Sequence, residues 1–150
     1  MAVNYGKKFE EQFKHDVLTL PNTLVLRLPD QQSGYYGTSQ NICDFILFRN
    51  KVLYFVELKS IKGNTFPLSN FKQFNNMLSL ANIDGVEKYL IIWYRDHDRI
   101  IAVKISDVFT HARQGNKSIN ITKLDSIPHV EIPSSKKRVM LSSDYSVIFI

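Results

Sequence analysis

With 150 residues, 44% of them hydrophobic, and a net charge of +5 (pI near 9.3), the chain has material for one core and a basic surface that suits a polyanionic partner. A single cysteine excludes a disulfide framework and a cysteine-rich zinc site. The opening MAVNYGKKFEEQF is not an apolar signal segment and no run approaches the ~18 residues of a membrane span, so a cytoplasmic protein without membrane association is expected.

Phe9, Phe13, Val17 and Leu20 recur at helical offsets and predict an amphipathic helix over 5–20, capped by Asn4 and stopped by Pro21. Lys7 and Lys8 form a basic pair near its start. Glu10 falls at the edge of the buried stripe, where it either reaches toward the following strands or pairs with Lys14 at i,i+4. TLVLRL, residues 23–28, reads as a short strand. The loop over 29–40 holds Tyr35 and Tyr36, which either stack on nucleobases or pack the loop against its own domain.

Two apolar runs, 42–48 and 52–58, flank the polar break Arg49-Asn50-Lys51 and predict a hairpin. Period two sends Glu57 and Lys59 to one face and Val56 and Leu58 to the other. With Arg49 and Asn50 as the turn, Phe48 pairs with Lys51 and Asp44 lies opposite Phe55, one diagonal step from Glu57. Asp44, Glu57 and Lys59 then share a face, with diagonal neighbours roughly 7–8 Å apart. A loop one residue longer or shorter moves Asp44 to the opposite face. Two carboxylates so placed suit Mg²⁺, and an ammonium beside them can position a water or offset charge developing on phosphorus. The alternative is an edge hairpin whose Glu57 and Lys59 face water. Cys43 reads as a small core residue.

Residues 60–68 form a turn-rich connection in which Lys62 either contacts a phosphate or is solvated. Ser69 or Asn70 caps a helix expected to run to about residue 82, buried through Phe71, Phe74, Leu78 and Ala81, with Gln73 and Asn75 as polar candidates for the site. Strands follow at 89–94 and 99–105, joined by the solvated turn Arg95-Asp96-His97-Asp98. A short helix over 106–113 ends at Gly115, and the tail carries Lys136-Lys137-Arg138 and a strand-like segment at 145–150. No repeat or linker divides the chain, so a single domain over 1–150 is expected. The element order implies a mixed central β-sheet flanked by helices, an α/β or α+β sandwich.

An Asp, a gap and Glu-x-Lys form the pattern of the PD-(D/E)xK nuclease superfamily, with Cys43 where that pattern has proline. The run TFPLSNFKQFNNML (65–78), with its Phe-Pro-Leu-x-Asn-Phe core shortly after Glu57-x-Lys59, resembles the RecU family of Holliday junction resolvases. So do IDGVEKYLIIWY (83–94) followed by Ser106-Asp107, and GKKFEEQF (6–13), which is similar to that family's Gly-x-x-x-Glu-Glu opening. The resemblance spans about 5–112. It implies a restriction-endonuclease-like fold and a homodimer that cuts symmetrical strands of a four-way DNA junction with Mg²⁺, or Mn²⁺. By position it implies metal binding by Asp44 and Glu57, a water oriented by Lys59, and an acidic cluster completed by Glu10, with Glu11 as the alternative. Lys7, Lys8, Tyr35, Tyr36, Lys62 and Gln73 are the candidate DNA contacts. The family's long basic stalk between its first two strands is far shorter here, and its glutamine after the Glu-x-Lys strand aligns near Asn75, with Gln73 the nearest glutamine. A restriction-type or repair nuclease acting on duplex DNA, and a junction-binding protein without catalysis, are the alternatives, since substrate shape is read by loops and dimer geometry.

Overall fold

The computed structural model describes residues 2–29, 41–80 and 82–150. Tyr35, Tyr36 and Ala81 lie outside the described residues. Helix α1 (Tyr5–Val17) starts where Asn4 Oδ1 accepts the Lys7 N–H at 3.0 Å, as a capping asparagine does. It ends earlier than its periodicity suggests, in turns closed by Thr19 N–H to Asp16 O and Leu20 N–H to Val17 O ahead of Pro21.

The central sheet is built from β1 (Thr23–Arg27), β2 (Phe45–Arg49), β3 (Val52–Ile61), β5 (Val86–Tyr94), β6 (Arg99–Lys104) and β8 (Val130–Ile132), in the spatial order β1-β2-β3-β5-β6-β8. Only β3 and β5 run parallel, so the sheet is mixed. The chain between them crosses over through β4 (Thr65–Pro67), a 3-10 turn at Leu68–Asn70 and α2 (Phe74–Leu78). β4 pairs with β7 (Ser118–Asn120) in a small second sheet. A hairpin of β9 (Ser134–Lys137) and β10 (Met140–Ser143) follows β8.

The turn of the β2–β3 hairpin is Asn50-Lys51, with φ of 50° and 67°, not Arg49-Asn50. Positive φ at both central residues gives the twist that a two-residue hairpin loop needs. Sliding the turn by one residue changes every pairing by two, so the faces survive while the partners change: Phe48 pairs with Leu53 and Phe45 with Val56.

Alternate strand residues enter two cores. On one face Phe45, Leu47, Val56, Ile91 and Trp93 pack against Phe9, Phe13 and Val17 of α1. On the other Leu90, Ile92, Ile101 and Val103 pack against Met77 of α2 and Ile105 and Val108 of α3 (Ile105–Arg113). This is the expected sandwich, with helices on both sides of the sheet.

Two elements differ from the expectation. The helix expected over 69–82 reduces to the five residues of α2, because Asn70, Asn75, Asn76 and Ser79 are weak helix formers that compete for backbone groups. The last segment is not a strand. Tyr145–Val147 forms a 3-10 turn capped by Asp144, and Tyr145 and Phe149 are buried against the ring of Phe13. This segment seals the α1 core. Asp16, also buried, ties α1 to β10 by accepting the Ser143 N–H at 3.0 Å and the Gln12 amide at 2.8 Å.

Phe13 touches Phe45, Tyr145 and Phe149 and has no exposed surface. Phe13→Ala is expected to lower the unfolding free energy by about 3–5 kcal/mol in urea titrations; a loss below about 1 kcal/mol would show that the C-terminal segment does not close this core.

Candidate active site

Asp44 sits just before β2 and is pinned three ways. Its N–H donates to Val56 O at 3.1 Å, its carbonyl accepts the Leu28 N–H at 2.8 Å, and its Oδ2 accepts the Leu58 N–H at 2.8 Å. The β2 ladder ends at Phe45 while β3 continues to Ile61, and the Asp44 side chain takes up the donor that the missing strand would have paired. The ladder stops at Phe45 and Val56, and beyond it the Asp44 and Glu57 carboxyls come within hydrogen-bonding reach of one another, as close neighbours on one face.

Glu57 is only 1% exposed. Lys59, two residues along the same face, places Nζ 3.2 Å from Glu57 Oε2. From α1, Glu10 comes within hydrogen-bonding reach of Asp44 and is held by Arg27, whose Nη2 is 3.0 Å from Glu10 Oε2. Glu10 therefore joins the cluster, while Glu11 is exposed and does not line the cleft; the expected alternative of a Glu10–Lys14 pair gives way to the pair with Arg27.

These groups line an open cleft of about 420 Å³ together with Lys7, Ser60 and Gln73. Three buried side-chain oxygens there have no hydrogen-bond partner: Glu57 Oε1, Ser60 Oγ and Gln73 Oε1. Leaving a buried polar group unpaired costs about 1–3 kcal/mol, so the cleft is built short of a positive or proton-donating occupant. Burial, then the Asp44 charge, pushes the Glu57 carboxyl up to about 8 against the opposing pull of Lys59. Burial also raises Asp44, offset by the Leu58 N–H. Beside them the Cys43 thiol donates to Phe45 O at 3.2 Å and burial raises it to about 12, the behaviour of an inert core residue.

Of the other candidates, Lys7 and Gln73 line this cleft, Lys8 and Asn75 are exposed away from its wall, and Lys62 lines a neighbouring cleft. Arg27 had no place in the sequence reading. Its one signal is a cation ending an apolar strand just ahead of the loop that leads to Asp44.

The family model for RecU, recombination protein U, matches residues 27–142. The chain belongs to the RecU family. RecU proteins are Holliday junction resolvases, nucleases of DNA recombination, and resolvases of this family are generally dependent on a divalent metal. Among solved structures the chain is similar to Hjc of Archaeoglobus fulgidus, a Holliday junction resolvase from an archaeal hyperthermophile, with 17% identity, a TM-score of 0.50, and coverage of 67% of this chain and 78% of that one. That likeness bears on the fold, which is restriction-endonuclease-like. Comparison with curated protein sequences returns no match.

The RecU site has a donor set that fits a partly hydrated divalent cation. Among the described residues, no three His, Cys, Asp or Glu side chains converge closely enough to hold an ion by themselves. Mg²⁺ does not require that, because it keeps several waters and takes one or two carboxylates plus substrate phosphate oxygens. Asp44 and the unpaired Glu57 Oε1 match that demand.

The folded Glu57 carboxyl keeps its proton up to about pH 8, whereas the unfolded one releases it near 4.5. The folded state therefore binds more protons between those values, and stability falls as pH rises across that window. In chelator, Glu57→Gln is expected to remove this loss, so that its Tm exceeds that of the wild type by on the order of 5 °C more at about pH 9 than at about pH 5. Parallel pH profiles would contradict the buried, protonated Glu57.

Proposed function

We propose that the whole chain, as a single nuclease domain, is a Mg²⁺-dependent Holliday junction resolvase, also served by Mn²⁺, that hydrolyses phosphodiester bonds in this cleft. The observation that carries the reading is the close approach of the Asp44 and Glu57 carboxyls, with Glu57 Oε1 unpaired, beside Lys59, in a chain of the RecU family. Asp44 and Glu57 would hold the cation, with Glu10 as the outer member of the acidic cluster. The bound cation would supply Lewis-acid polarisation of a phosphoryl oxygen and a lowered pKa for a water.

The remaining roles belong to the chain. Lys59, fixed by Glu57, orients the attacking water and offsets charge building on phosphorus. The water oxygen adds to phosphorus and the water gives up a proton to solvent, one P–O bond to the sugar breaks, and the leaving oxygen takes up a proton from solvent, so that one water is consumed for each bond cut. Lys7 on the first turn of α1 and Gln73, both lining the cleft, meet the phosphate flanking the reacting one. Arg27 holds Glu10 toward Asp44.

A four-way junction carries two equivalent strands and each chain offers this one acid cleft, which supports action as a homodimer. Leu24, Leu26 and Phe48 expose apolar surface on the β1–β2 edge and support a second copy seated there. With DNA as its substrate, the protein is assigned to the cytoplasm, where bacterial and phage DNA is processed.

The test is cleavage of a labelled four-way junction beside a linear duplex of the same sequence, with Mg²⁺ and with chelator. Paired symmetrical nicks in the junction, abolished by chelator and slowed at least about a hundredfold by Asp44→Asn, are expected. The asparagine can still accept the Leu58 N–H, so the variant removes charge and not the fold. Equal cutting of the duplex would move the activity to a general nuclease, and unchanged cutting by Asp44→Asn would remove the site assignment.

A further inference from the structure

The first turn of α1 is a wall between two clefts. Asn4, Gly6 and Lys7 line the acid cleft, and Tyr5 lines a second one of about 400 Å³ with Trp93, Arg95, Lys62, Lys136 and Arg138. The unpaired groups of the two clefts have opposite character. In the acid cleft all three are oxygens, of Glu57, Ser60 and Gln73; in the second cleft both are nitrogen donors, Trp93 Nε1 and Arg95 Nε.

Trp93 is 2% exposed and Arg95 lies over the ring of Tyr5, 4.1 Å from its centroid, so both donors are held in place by packing. The two carboxylates of this cleft are already engaged. Asp96 Oδ2 accepts the Gly63 N–H at 2.9 Å and Asp98 Oδ2 is paired with Lys136 Nζ at 3.0 Å. Four cations, Lys62, Arg95, Lys136 and Arg138, against these two carboxylates leave the cleft an excess of two positive charges beside buried donors that lack acceptors. Unpaired donors under an excess of cations call for an acceptor-rich anion.

We propose that this second cleft binds the phosphodiester backbone of the DNA strand as it leaves the acid cleft, several nucleotides from the bond that is cut. The proposal rests on the nuclease reading of the acid cleft. Lys62 belongs here because it follows β3 by one residue, so the strand that carries Glu57 and Lys59 runs from one cleft into the other. The Lys136-Lys137-Arg138 run, part of the basic surface noted in the sequence, leads into the turn of the β9–β10 hairpin and contributes Lys136 and Arg138 to this cleft.

The test is equilibrium binding of a labelled four-way junction in chelator over a range of salt, comparing the wild type with the double variant Lys62→Ala, Arg138→Ala. Both residues are exposed, so the variant folds. Lys117→Ala, Lys123→Ala, on exposed positions away from both clefts, is the charge-matched control. The double variant is expected to bind about tenfold more weakly, with the slope of log K against log[salt] reduced by about 1.8, the release expected for two phosphate contacts; the control is expected to change neither. The single tryptophan, Trp93, gives a second reading. Its emission is expected to change when DNA is added and to stay constant with inorganic phosphate at the same phosphate concentration. If the wild type binds and cuts the junction while the double variant keeps its affinity and slope, the second cleft is not a phosphate site. An equal Trp93 response to inorganic phosphate assigns the cleft to free phosphate and overturns the strand path. A wild type that binds no DNA removes the nuclease reading and this inference together.

Discussion

Where β2 stops, the Asp44 carboxylate accepts the Leu58 N–H that a further strand residue would have paired, and the chemistry of the molecule follows from that replacement. A side chain doing the work of a backbone has its position set by the sheet, not by a flexible loop. It also lies within hydrogen-bonding reach of the Glu57 carboxyl, so two carboxyls meet on the strand that carries Lys59. The geometry is rigid because each of the backbone and side-chain groups that hold Asp44 belongs to the sheet or to the chain leading into it. Preorganisation of this kind is what electrostatic stabilisation of a charged transition state requires.

The cost of the arrangement is local. On both sides of the sheet the cores are apolar and closed, with rings such as Phe13, Phe45 and Phe149 in contact. Apart from His111 Nδ1, the buried polar atoms without partners among the described residues belong to the acid cleft, where the Asp44 and Glu57 carboxyls meet, and to the cleft beyond the first turn of α1. Such groups destabilise an empty fold and stabilise a loaded one, because a ligand supplies what they lack. Acceptors in one cleft and donors in the next match a cation and a phosphate chain respectively.

Much of this was legible in the residues because the strand period is two. Asp44, Glu57 and Lys59 share a face under any two-residue loop, so a turn at Asn50-Lys51 in place of the expected Arg49-Asn50 changes the cross-strand partners and not the side of the sheet. Phe9, Phe13 and Val17 placed α1 by helical spacing, and Glu10 beside that stripe reached the cluster. The illegible parts have tertiary causes. Nothing in TLVLR shows that Arg27 would meet Glu10 from another element. Residues 145–150 alternate like a strand, yet their aromatic side chains are drawn into the core beside Phe13 and the backbone turns to allow it. Apolar spacing alone favours a long helix after Ser69, and the asparagines within it outweigh that spacing.

The central claim is that Asp44 and Glu57 together hold a divalent cation at the unpaired Glu57 oxygen. Anomalous diffraction from a crystal soaked in Mn²⁺ tests it most directly. The account predicts a peak within coordination distance of Glu57 Oε1 and of an Asp44 carboxylate oxygen, lost in Asp44→Asn. A well-occupied peak elsewhere in the molecule, with none between these two carboxylates, would contradict it.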